Sequence, residues 1–187
     1  MNAGLLCDDQ TLVRILDAIR TDSPKARERL TDALETWESD ARLHFLLGSV
    51  KASEQDYPGA ELAMIKAVTL SPETDIYRFQ LGLLQLTCGS AEAARATLHP
   101  LAGFPASQEG LKVFASGLMA LLNDDMAAAL DHLQRGMQLN TQHPELNHDI
   151  GLIVDKLKAA LPPQDQQETG PSTHLLLSGY WDNATKH

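Results

Sequence analysis

Residues 43–68 read LHFLLGSVKASEQDYPGAELAMIKAV, and this stretch decides the fold. Leu43, Leu46, Leu47 and Val50 are apolar at helical spacing, and Ala60, Met64 and Ala67, with Leu62 and Ile65 beside them, make a second helical pattern. Between the two, Gln55-Asp56-Tyr57-Pro58-Gly59 is turn chemistry, with Pro58 suited to a first helical turn. Two helices joined by a tight turn are expected. Gly48 falls in the middle of the first, where glycine costs about 1 kcal/mol relative to alanine. Its place there calls for a steric reason: the partner helix approaches where a side chain is missing.

Working outward, the same arrangement recurs. Gly48, Gly82, Gly117 and Gly151 are 34, 35 and 34 residues apart. Ala60, Ala94 and Ala129 follow the first three glycines by 12 residues, and Met64, Leu98 and Leu133 follow those alanines by four. Three ladders in one register mark a repeat array built from antiparallel helix pairs. Thr87-Cys88-Gly89-Ser90 and Asn123-Asp124-Asp125 are the turns of the second and third units. Ser71-Pro72 and His143-Pro144 read as helix starts, each with Pro at the first helical position.

This pattern resembles the tetratricopeptide repeat (TPR) family, whose 34-residue motif has small residues at positions 8 and 27, Ala at 20, a large apolar residue at 24 and Pro near 32. Gly48, Ala60, Met64, Ala67 and Pro72 match it in the first unit. The second supplies Gly82, Ala94 and Leu98, with Leu101 at position 27 and Pro105 displaced by one; the third supplies Gly117, Ala129, Leu133 and Gly136, with its proline delayed to Pro144. His44, Arg78 and Val113 replace the family's aromatic at position 4. One period earlier stand Ala26, Leu30 and Ala33, with Arg14 in the glycine's place and Ser23-Pro24 starting the second helix. The resemblance implies an all-α, right-handed solenoid over residues 1–161: a degenerate repeat at 7–40, repeats at 41–74, 75–108 and 109–143, and a capping helix at 144–160.

The resemblance also implies which face meets a partner, because positions 2, 5, 9, 12 and 13 of each first helix line a concave groove in the family. Position 5 is Phe45, Phe79 and Phe114, three of the chain's four phenylalanines. Around them stand Ile76, Leu83 and Leu86 in the second unit and Leu111, Leu118, Leu121 and Leu122 in the third, while the first is more polar, with Arg42, Ser49, Ala52 and Ser53. Two readings of this ladder stand. It is an apolar groove for a partner peptide or amphipathic helix, with the rings as anchors, or it packs on neighbouring repeats and the last helix, since helices apolar on two faces need two burial partners. The family's carboxylate clamp for chaperone C-termini uses Lys, Asn and Arg at these positions, so the Phe, Ser, Leu and Ile found here argue against it.

From Pro162 the composition changes, and residues 162–171 read as a flexible linker. An apolar end follows, with Leu175, Leu176, Leu177, Tyr180 and Trp181. It is expected either to dock in the chain's own groove or a neighbour's, or to pack loosely on the last helix.

Composition narrows the function. The 187 residues carry 15 basic and 25 acidic side chains, a formal net charge of −10, with 43% apolar residues and 5% aromatic. That balance argues against nucleic acid and anionic membrane surfaces. No apolar run approaches the roughly 20 residues of a membrane span, and the cytoplasm is the expected compartment. Two cysteines, Cys7 and Cys88, make no disulfide framework. His143 and His148 are five apart, which does not put both on one helix face, so no metal is expected. The acidic cluster Asp32, Glu35, Glu38 and Asp40 reads as a solvated helix end and turn. No catalytic motif and no cofactor loop occurs. The expected function is therefore a non-catalytic adaptor or chaperone binding a protein partner. A self-associating scaffold, with a second copy filling the groove, is the alternative; the short acidic layout is also similar to the bacterial type III secretion translocator chaperones.

Overall fold

The computed structural model describes residues 6–21, 23–103 and 108–161, and all regular structure among them is helical. The helices run in the order α1 (Asp9–Thr21), α2 (Ser23–Thr36), α3 (Ala41–Ser53), α4 (Tyr57–Leu70), α5 (Asp75–Thr87), α6 (Ala91–Gly103), α7 (Glu109–Leu121), α8 (Met126–Leu139) and α9 (Pro144–Ala160). The chain falls into two compact units, Met1–Tyr77 and Arg78–His187, with the division inside α5. Helices adjacent in sequence pack on one another, α1 to α4 in the first unit and α6 to α9 in the second.

The small-residue ladders form the interior. Ala26, Ala60, Ala94 and Ala129 have no exposed surface, and Leu30, Met64, Leu98 and Leu133, four residues on, are buried with them. Three of the four ladder glycines do what their phase implies, whereas a Cβ on Gly151 would meet only Met137 Cε, at an ordinary 3.8 Å. A Cβ on Gly48 would lie 2.6 Å from Met64 Cγ, on Gly82 2.5 Å from Leu98 Cγ, and on Gly117 2.7 Å from Leu133 Cδ2. Interiors are packed to near-crystalline density, so the missing side chain is what lets each partner helix close. The interior of α4 belongs to Ala60, Ala63, Met64 and Ala67. Leu62, 70% exposed, and Ile65, 42% exposed, lie on the outside of that helix.

The turns within the pairs share one backbone form although their side chains differ. Gln55, Gly89 and Asp124 all have positive φ, at 64°, 79° and 56°. The next residue donates its N–H five residues back in each case: Asp56 to Lys51, Ser90 to Gln85 and Asp125 to Ala120. This is the Schellman ending, with its C′ residue left-handed. Asp56 and Asp125 then start the second helices, accepting from the N–H groups of Gly59 and Ala128 at 3.0 and 2.9 Å. Gln55→Gly should remove a left-handed penalty and stabilise the protein by about 1 kcal/mol, read as a rise in the denaturant midpoint at unchanged slope.

Ser71-Pro72 does not start a helix. Ser71 caps the C-terminal end of α4, its N–H bonding Ala67 C=O at 3.0 Å, and its hydroxyl lies 2.8 Å from Thr74 Oγ1. With Ser71 used at both ends of this turn, α5 begins at Asp75. His143-Pro144 does open α9. Asn140 secures the step before it, bonding His143 C=O at 2.5 Å and Asn147 Oδ1 at 2.9 Å. Residues 162–187 lie outside the described residues, so the apolar end with Leu175, Leu176, Leu177, Tyr180 and Trp181 has no place in this description.

Candidate functional site

The ten apolar residues expected to line a groove divide sharply, with Leu111 among the buried ones. Phe79, Leu83, Leu86, Phe114, Leu118 and Leu121 are buried. Phe45, Ile76 and Leu122 are half-buried. In the second unit the rings of Phe79 and Phe114 pack with centroids 5.9 Å apart. Phe114 also rests on Gly136 of α8, so closely that a Cβ there would collide with the ring. Of the two readings of the ladder, packing within the chain describes these buried side chains; they present no open apolar surface here. The physical reason is that α5 and α7 are buried on several faces, with Leu81, Leu84, Val113 and Ala115 covered as well.

The accessible end of the ladder lies in the first unit. Phe45 of α3 stacks on Tyr77 of α5, with ring centroids 4.6 Å apart and an interplanar angle of 28°. Both rings are half-buried, and Ile76 adjoins Tyr77 in sequence with similar exposure. Ser49, one turn along α3, donates its hydroxyl to Phe45 C=O at 3.1 Å. Tyr77 was absent from the expected set. Its signal was Phe45 itself, whose ring on a half-open face needs a cover from the first helix of the next repeat.

A charged network sits beside this pair. Asp40 is fully buried, in contrast to the solvated position expected for it with Asp32, Glu35 and Glu38. It caps α3, accepting from Arg42 N–H at 2.9 Å, and takes the Cys7 N–H on its other oxygen at 2.8 Å. Arg42 closes the network, with Nη2 2.7 Å from Asp40 Oδ2 and 2.9 Å from Cys7 C=O. Burial alone pushes the Asp40 carboxyl up, but these donors outweigh it and hold the group below its ordinary value. Burial, followed by the Asp40 charge, pushes the Tyr77 phenol up. Burial also raises the Cys7 thiol, reinforced by Asp8 and Asp40, which keeps it protonated and unreactive. Arg42 has a third of its side chain exposed, beside the stacked rings, while its guanidinium is held by Asp40 and Cys7 C=O.

The histidine patch on α9 is disposed differently. His143 Nε2 lies 3.0 Å from Gln108 Oε1, tying the start of α9 to that of α7, while His148 is exposed. Among the described residues no group of three His, Cys, Asp or Glu side chains is arranged to hold a metal ion. Among them, too, no helix is long and apolar enough to cross a membrane. No family model matches the chain, and neither a curated protein nor a solved structure matches it.

Proposed function

We propose that the protein is a non-catalytic interaction module of TPR type, an adaptor or chaperone that binds a peptide or helix of a protein partner. The observation carrying this reading is the half-exposed Phe45–Tyr77 stack beside Arg42. Aromatic side chains and arginine are the residue types that dominate binding energy at protein interfaces. Their stacking fixes the rings before a partner arrives, which lowers the ordering cost of association. Phe45 also stands at the position that lines the groove in the family the repeats resemble. A binding surface of this kind replaces the longer ladder expected from sequence: Phe45, Ile76 and Tyr77 keep part of their surface open, beside partly exposed Arg42, where Phe79 and Phe114 do not.

Partner capture by the wild-type chain and by Phe45→Ala/Tyr77→Ala tests this. The double variant should lose its partners while keeping its helical circular dichroism. Equal recovery of the same partners by a folded double variant would remove the reading.

A second reading, self-association as a scaffold, has its own support in α4. Leu62 and Ile65 are exposed and three residues apart, so they share one helix face, with exposed Pro58 a turn earlier. If that face joins two copies, Leu62→Gln/Ile65→Gln should turn a dimer into a monomer in sedimentation across a dilution series. A wild-type chain that is monomeric at every concentration rules the scaffold out.

A further inference from the structure

The degenerate leading unit differs from the others at one decisive position. Arg14 stands where Gly48, Gly82 and Gly117 stand later, and at those glycines even a single added Cβ meets the partner helix. Arg14 itself is exposed on α1, which packs on α2. Between them lies an open cleft of about 350 Å³, lined by Arg14, Ile15, Arg29, Asp32, Ala33 and Trp37. This is at the small end of ligand pockets and fits one or two side chains.

The lining is rich in hydrogen-bond donors in a chain whose net charge is −10. Arg29 uses one nitrogen on Arg14 C=O, at 2.8 Å, which steadies its guanidinium at the cleft. The Arg14 guanidinium makes no hydrogen bond or ion pair with the described residues. A guanidinium carries five N–H donors and no acceptor, and pairs best with a carboxylate. Asp32 is the one carboxylate of the lining, suited to accept a peptide N–H. Ile15 and Ala33 are buried beneath, and half-buried Trp37 forms an apolar wall.

We propose that this cleft is a second binding site, taking an acidic side chain next to an apolar one on a partner peptide. The carboxylate pairs with Arg14 and Arg29, and the neighbouring side chain lies on Trp37. The site is separate from the Phe45–Tyr77 stack.

Full-length protein carrying Trp181→Phe leaves Trp37 as the only indole, so its fluorescence reports on the cleft. The probe is a blocked Ser-Phe-Glu-Leu-Ser peptide, compared with its Gln counterpart and with phenylacetate. Saturable change with the Glu peptide is expected, weakening about tenfold or more with the Gln peptide and in Arg14→Ala and Arg29→Ala. Added salt should weaken it further. Phe45→Ala should leave the titration unchanged, which separates this site from the proposed function. The proposal fails if the Gln peptide binds equally, if the arginine variants do, or if no saturable change appears up to about 1 mM. Phenylacetate binding as tightly as the peptide would overturn it in favour of a small carboxylate ligand.

Discussion

Truncating Phe114 to alanine should cost the fold about 3–5 kcal/mol. The ring has no exposed surface and is held between Phe79 and the bare backbone of Gly136. Removing it leaves a void that α8 cannot fill, because the residue facing it has no side chain to turn inward. Domains are stable by only about 5–15 kcal/mol, so this one change consumes a large share, and the thermal midpoint should fall by roughly 10 °C or more. The same truncation at half-exposed Phe45 should cost much less, since water already reaches part of that ring. Gly136→Ala alone should also destabilise, through collision with the Phe114 ring. The two changes together should cost less than their sum, as the new methyl occupies part of the void, and a double-mutant cycle reads that coupling directly. A cost below about 1 kcal/mol for Phe114→Ala would mean that the ring is not the interior contact described.

The contrast between Phe114 and Phe45 also marks how far the sequence can be read. The pairing of helices was legible because it depends on residues four apart and on a fixed period: Ala60, Ala94 and Ala129 announce the close side of each second helix by being small. Whether position 5 faces water depends on what lies beyond the pair, and no local pattern encodes that. Phe45, Phe79 and Phe114 are identical in type and phase, yet only Phe45 keeps part of its ring open.

A similar limit applies to α4 and to the turns. Leu62 and Ile65 look like core by hydropathy, but Ala60, Ala63, Met64 and Ala67 hold the interior of that helix. Of the three left-handed turn residues, Gly89 and, more weakly, Asp124 carry a chemical signal; Gln55 takes the same conformation because the helix on either side demands it. Arg14 was visible as a break in the glycine ladder. That Arg14 borders a cleft with Arg29 and Trp37 follows only from the folded chain.

Asp40→Ala should be the most damaging change in the first unit after a core truncation, at about 2–3 kcal/mol. Its carboxylate is at once the α3 cap, the acceptor for Cys7 N–H and the counter-ion of Arg42. Alanine leaves three sets of donors without an acceptor, one of them, the Cys7 N–H, buried. Asp40→Asn keeps a capping oxygen but loses the charge, so it should cost less than alanine does. The wild-type advantage over asparagine should depend on pH in a defined direction. Because the donors around Asp40 hold its folded value below the ordinary one, the unfolded chain binds the proton more readily. The stabilisation is therefore complete above the unfolded carboxylate value of about 4, and it fades as pH falls through the lower folded value. Denaturant midpoints of wild type and Asp40→Asn should differ most near neutral pH and converge in acid. The residues that let go first are those around Cys7, whose N–H and C=O are both tied into this network. Amide exchange at Cys7 should accordingly quicken in Asp40→Asn while exchange in the middle of α3 stays slow. A gap between the two proteins that persists unchanged to acid pH would show that the Asp40 charge contributes nothing to the fold.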